Sequence, residues 1–211
     1  MRQSLPSATR RVLLISHDTV GDRMAGPGIR YYHLARVLAR RFCLHLAAPD
    51  PGESGREELL HLAQAEDYTI IFYERGHWPT IEEAAHWAEV IILPSDTAAD
   101  FSQLAHVDAA LVIDGYDPLI AEWLALHGRE DAATGGRQWQ ERMQALQHQF
   151  VLGDFFICAS ERQRDWWLGM LEAHGRINPW NFRADSSFRR LLDVVAYGLP
   201  DHEPQHTRAV I

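Results

Sequence analysis

Four consecutive aliphatic residues, Val12, Leu13, Leu14 and Ile15, lead into a polar, glycine-bearing loop and then a helix-period stretch, and this unit restricts the chain's fold more than any other. An aliphatic run with no polar face suits a strand buried on both sides of a parallel sheet. From Tyr31 the apolar residues recur at Leu34, Ala35 and Leu38, which gives a helix one apolar stripe; His33, Arg36 and Arg40 fall on the other side. Between strand and helix lie Gly21, Gly26, Pro27 and Gly28, which let the backbone turn sharply and approach a bulky ligand. Pro27 suits the opening of the helix. Amide groups at such a helix start make an anion seat for a phosphate or diphosphate. The same glycines also fit a second reading, in which they only tighten a βα turn. The loop matches neither G-x-G-x-x-G nor a P-loop ending in Gly-Lys-Ser/Thr, which disfavours NAD and ATP.

The alternation continues along the chain. Strands are expected at Phe42 to Ala48, Tyr68 to Tyr73, Glu89 to Leu93, Ala109 to Ile113, Phe155 to Ala159 and Leu192 to Tyr197. Helices are expected at Glu57 to Ala65, Thr80 to Trp87, Thr97 to Leu104, Asp117 to His127, Gln138 to Leu152 and Glu161 to His174, with Gly128 to Gly136 as a mobile loop. The pattern predicts an α/β, Rossmann-like doubly wound fold: a mostly parallel sheet of about seven strands with helices on both faces. It fills residues 1–200, with 201–211 as a linker or tail.

Ligands of such sheets gather beyond the carboxyl ends of the strands. The polar residues there are Asp18, Glu74 with Arg75, Ser95 with Asp96, Asp114 to Asp117, and Ser160 to Arg162. In the cluster Asp114-Gly115-Tyr116-Asp117 a carboxylate suits sugar hydroxyls or the orientation of a nucleophilic oxygen; a purely structural role, with Asp117 capping the next helix, fits equally. Ser160 followed by Gln163 has the spacing of a capping box, with Gln163 reaching back to the Ser160 amide.

Charge and composition narrow the function. A formal net charge of −9 argues against a nucleic-acid surface. All 20 basic residues are arginine, which removes Schiff-base and P-loop lysine chemistry. The twelve histidines show no metal-ligand spacing, and Gly-x-Ser-x-Gly is absent, so neither a metal site nor a serine nucleophile is expected. Cys43 and Cys158 sit in apolar runs and read as buried free thiols, which fits a reducing cytoplasm. No signal peptide and no apolar run near the ~20 residues of a spanning helix is visible. A cytoplasmic location, with peripheral membrane contact left open, is the expectation.

With these segments in order, the chain resembles the amino-terminal domain of a retaining glycosyltransferase of GT-B fold, family 4 (glycosyl transferase group 1). The resemblance is carried by GDRMAGPGIRYYHLARVLAR, VIDGYDP, FFICASERQRDWWLG and LLDVVAYGLP, spread from Val12 to Pro200. It implies transfer of a sugar from a nucleotide-diphosphate donor to a saccharide or lipid-linked acceptor with retained configuration and without a cofactor. By the same resemblance Gly26, Gly28 and Arg30 meet the donor diphosphate, Asp114 and Asp117 are the catalytic candidates, and Tyr116, Glu161 and Arg162 bind the acceptor. It also implies a carboxyl-terminal donor-binding domain, with paired glutamates, which this chain does not contain; the chain by itself is then expected to be inactive or nearly so. On that view Gly28→Val blocks the phosphate approach and leaves the fold intact. A different class remains open: a non-catalytic Rossmann-like module that binds a protein or saccharide. A nucleotide-sugar epimerase is disfavoured by the absent cofactor fingerprint and by the lack of lysine for a Tyr-x-x-x-Lys pair.

Overall fold

The computed structural model describes residues 10–21, 24–129 and 132–198. Seven strands form one all-parallel sheet: β1 (Arg11–Ile15), β2 (Cys43–Pro49), β3 (Thr69–Tyr73), β4 (Val90–Pro94), β5 (Ala110–Asp114), β6 (Phe155–Cys158) and β7 (Leu192–Val194). The order across the sheet is β3-β2-β1-β4-β5-β6-β7, so the chain reverses its direction of travel between β1 and β4. This is the expected α/β, Rossmann-like, doubly wound architecture.

Strand pleating sorts the aliphatic runs into two cores. Val12 and Leu14 face a cluster with Leu44, Leu46, Tyr31, Ala35, Leu59 and Ala63, in which helices α1 (Gly26–Leu38) and α2 (Glu53–Ala65) take part. Leu13 and Ile15 face the opposite cluster, with Ile91, Leu93, Ile113 and Phe156. That side is covered by α3 (Glu82–Trp87), α4 (Thr97–Asp100), α6 (Ala132–Leu152) and α7 (Glu161–Ala173). Two further α-helices, α5 (Leu119–His127) and α8 (Pro179–Ala184), and two short 3₁₀ helices, Trp78–Thr80 and Ser102–His106, complete the described elements. With apolar neighbours on both faces, the central strands need no polar side, which is why they read as unbroken aliphatic runs.

Several local expectations are corrected. Gly135 and Gly136 lie inside α6, not in a loop, because the helix is held by its buried Leu146 and Phe150 against the sheet. Helix α8 is absent from the expected elements, although Asn178, whose Oδ1 accepts from the Trp180 and Asn181 amides, stands directly before Pro179 and signals a helix start. Cys158 is buried, but Cys43, the first residue of β2, is exposed. Ser160 caps α7 by accepting from the Gln163 amide at 3.2 Å, while the Gln163 side chain bonds the Ala159 amide rather than that of Ser160. The tail expected over residues 201–211 lies outside the described residues.

Helix α1 starts at Gly26, with Pro27 in its first turn, so Gly26 and Gly28 belong to the helix and not to the loop before it. Their environments differ. Around Gly26 nothing lies within 4 Å of where a Cβ would sit. At Gly28 a Cβ would come within 2.2 Å of the Thr19 carbonyl oxygen and 2.8 Å of Met24 Cβ. Gly28 therefore lets the helix pack against the backbone that follows β1, and Gly28→Val cannot leave the fold intact. Gly28→Ala is expected to destabilise the protein by about 1–3 kcal/mol through overpacking, whereas Gly26→Ala is neutral or stabilising by up to about 1 kcal/mol; urea denaturation of the two variants measures the difference.

Candidate functional site

The strand order puts the end of β1 beside the end of β4, and the side chains that follow these strands meet there. His17 Nδ1 lies 2.8 Å from Asp96 Oδ1. Arg75, just past β3, donates through Nη2 to the His17 carbonyl at 2.9 Å and stands 3.8 Å from Asp96 Oδ2. The Tyr116 hydroxyl, past β5, is 3.3 Å from His17 Nε2. An imidazole with one nitrogen on a carboxylate has its tautomer fixed, leaving the other nitrogen to exchange a proton.

Electrostatics favour a charged pair. Burial pulls the His17 imidazole down most strongly, but the hydrogen bond and charge of Asp96 outweigh it and the net shift is upward from 6.5. Burial pushes the Asp96 carboxyl up, and His17 with Arg75 brings it to a net position below 3.8. The pair thus stabilises the fold between these two values: Asp96's contribution is lost as pH falls through its depressed value, and His17's as pH rises through its raised one.

Beside this dyad lies a second polar pair. Arg30 Nε donates to Asp114 Oδ2 at 2.7 Å and Nη2 to Oδ1 at 2.9 Å, with both side chains buried. The guanidinium also sits about 5 Å from the ring centres of Tyr116 and Tyr197. Burial pushes the Asp114 carboxyl above its ordinary value while Arg30 pulls the other way. Arg30 and Asp114 therefore occupy each other: Arg30, expected at a diphosphate, is 4% exposed and paired, and Asp114, expected as a catalytic carboxylate, is fully buried.

The remaining candidates divide. Asp117, half-buried, is pushed up to about 6 by burial and by Glu122. Together with Arg162 it lines a cavity of about 560 Å³ between α5, α6 and α7. Glu161 points elsewhere, 2.8 Å from Arg189. Gly26 is exposed at the start of α1, where Ala25 provides no side-chain cap. The pairing of His17 with Asp96 is absent from the sequence expectations, although Asp96 is among the rim residues; the order β1-β4, which makes them neighbours, is the missing signal. Among the described residues no group of three or more His, Cys, Asp or Glu is placed to hold a metal ion, and no helix is long and apolar enough to cross a membrane.

No family model and no curated protein matches this chain. Among solved structures it is similar to an E. coli protein described as a ribokinase II, in its apo form, with 12% identity and a TM-score of 0.52 over 89% of this chain and 73% of that one. The same protein in complex with ATP and Mg²⁺ gives 11% identity and 0.52 over 88% and 72%. Phytolacca americana UGT2, complexed with UDP-2fluoro-glucose and pterostilbene, gives 12% identity and 0.49 over 92% and 55%. At such identities the ribokinase likeness shows the fold alone, and the weaker likeness to UGT2 carries no argument.

Arg30→Met, which strands a buried carboxylate, is expected to cost about 3–5 kcal/mol, and the double variant Arg30→Met/Asp114→Leu to recover most of it, in urea denaturation. In NMR titration the His17 imidazole is expected to titrate above 6.5 in the native protein and below 6.5 in Asp96→Asn, where burial is no longer opposed by that charge.

Proposed function

We propose that the chain is the acceptor-side domain of a glycosyltransferase, with His17 as the general base and Asp96 as its orienting partner. The observation that carries this reading is the 2.8 Å contact of His17 Nδ1 with Asp96 at the point where strand order reverses. A donor sugar is attacked by an acceptor hydroxyl. His17 Nε2 takes the hydroxyl proton as the new C–O bond forms and the bond to the diphosphate breaks, and Asp96 stabilises the resulting imidazolium. Tyr116, whose phenol burial holds in the protonated form, stands 3.3 Å from Nε2 and occupies it before the acceptor arrives.

The exposed first turn of α1, with Gly26 at its head, is the proposed seat for the donor diphosphate. Asp117 and Arg162 are proposed to meet acceptor hydroxyls, and a further domain to bind the nucleotide. The family that the sequence resembles transfers with retention, the leaving phosphate taking the proton. A base on the acceptor suits a single displacement instead, with inversion, and the configuration of the product separates the two. The cytoplasm is the proposed location.

In the enzyme assembled with its donor-binding domain, His17→Gln is expected to lower kcat by about 10²- to 10⁴-fold with little change in acceptor KM. Native kcat/KM is expected to fall on the acid side of the raised His17 value. An unchanged kcat in His17→Gln overturns the base assignment; retained configuration together with that unchanged kcat restores the phosphate-as-base mechanism.

A further inference from the structure

The cavity between α5, α6 and α7 includes Ser95, the chain neighbour of Asp96, in its lining but plays no part in the proton transfer. Its walls are apolar: Ile120 and Leu124 from α5, Met143 and Leu146 from α6, Trp167 and Met170 from α7. At about 560 Å³ it falls within the range of small-molecule sites. Methionine on two walls allows the lining to adapt to different apolar shapes.

One end is different. Ser95, which lines the cavity, is only 3% exposed, and its hydroxyl has no hydrogen-bond partner. A buried hydroxyl without a partner costs free energy, and a ligand oxygen placed against it removes that cost. Ser95 directly precedes Asp96, the partner of His17. Gly115 and Asp117, on the same wall, flank Tyr116, and the charge of Asp117 acts on His17. Ser95, Gly115 and Asp117 at this end of the cavity are thus chain neighbours of Asp96 and Tyr116, the two side chains that meet the imidazole. At the other end Leu124 and Trp166 are half-exposed and form an apolar entrance.

The geometry points to this cavity as the binding site for the apolar body of the acceptor, an alcohol or phenol carried on a hydrophobic ring system, with Ser95 holding an oxygen of that molecule. This substrate class rests on the acceptor-side reading of the domain, but the binding step does not need transfer to occur. Gly115 keeps the deep wall in place: a Cβ there would fall within 2.2 Å of two atoms of the Trp167 ring, whose Nε1 donates to the Gly115 carbonyl at 3.0 Å.

The test uses 2-naphthol and its near-isostere 2-methylnaphthalene as probes, with binding to the chain followed by calorimetry and by tryptophan fluorescence. Both are expected to bind one per chain. Ala121→Trp, at an exposed position on the cavity wall, is expected to abolish both; Leu124→Trp is a second filling variant should the first fail to fold. Ser95→Ala is expected to weaken 2-naphthol by roughly 3- to 10-fold and to leave 2-methylnaphthalene unchanged. Binding that survives the filling variants, or no binding of either probe at about 1 mM, overturns the proposal. Equal weakening of both probes by Ser95→Ala overturns the role of its hydroxyl. His17→Gln is expected to leave binding of 2-methylnaphthalene, which has no hydroxyl, unchanged while lowering kcat, so failure of the cavity and failure of the base are read separately.

Discussion

The ion pair of Arg30 with Asp114 joins residues 84 positions apart and fixes the start of the first helix to the end of the fifth strand. Both partners are out of water, so neither can be removed alone without leaving an uncompensated charge in a poorly polarisable setting. The pair is bidentate, which sets direction as well as distance. Tyr116 packs against the guanidinium and follows Asp114 by two residues, so its hydroxyl reaches His17 from a position that the ion pair defines. Two residues that read in one dimension as ligand-binding groups are, in the fold, bound to each other.

The dyad is supported in the same manner from the other side. Arg75 holds the His17 backbone and adds positive charge near Asp96, while Asp96 fixes the imidazole. Three strands on the two sides of the reversal, β1, β3 and β4, thus converge on one histidine, with β5 closing the group through Tyr116. Convergence of this kind is a property of parallel sheets, whose carboxyl ends all point to one rim. The apolar cavity extends from the same rim between helices that cover only one face of the sheet. The proposed base and the cavity are linked through Ser95 and Asp96, adjacent in the chain just past β4, the first lining the cavity and the second holding His17.

The glycines illustrate how a sequence feature divides between roles. Gly28 is required by the closeness of Thr19 and Met24, a packing demand with no ligand in it. Gly26 has open space around it. A loop that reads as one anion seat is therefore one packing contact and one exposed turn. Glycine content is an equally poor guide over Gly128 to Gly136, since Gly135 and Gly136 sit within a helix stabilised by burial further along, at Leu146 and Phe150. Local propensity is a weak determinant when an amphipathic face has a sheet to cover.

The strands were legible because burial on both faces leaves a mark that survives in one dimension: Val12 to Ile15, Ala109 to Ile113 and Phe155 to Ala159 are close to unbroken apolar runs, and the helices between them keep their three- and four-residue spacing. The sheet, its parallel sense and the rim at which a ligand would gather emerge from that pattern, together with the absence of lysine chemistry. The pairings were not legible. That His17 meets Asp96, 79 residues away, that Arg30 is neutralised by Asp114, and that Ser95 faces a cavity all depend on which strand lies beside which and how far each helix stands from the sheet. Periodicity records whether a side chain is inside or outside; only the folded chain, by choosing neighbours, decides what it meets there.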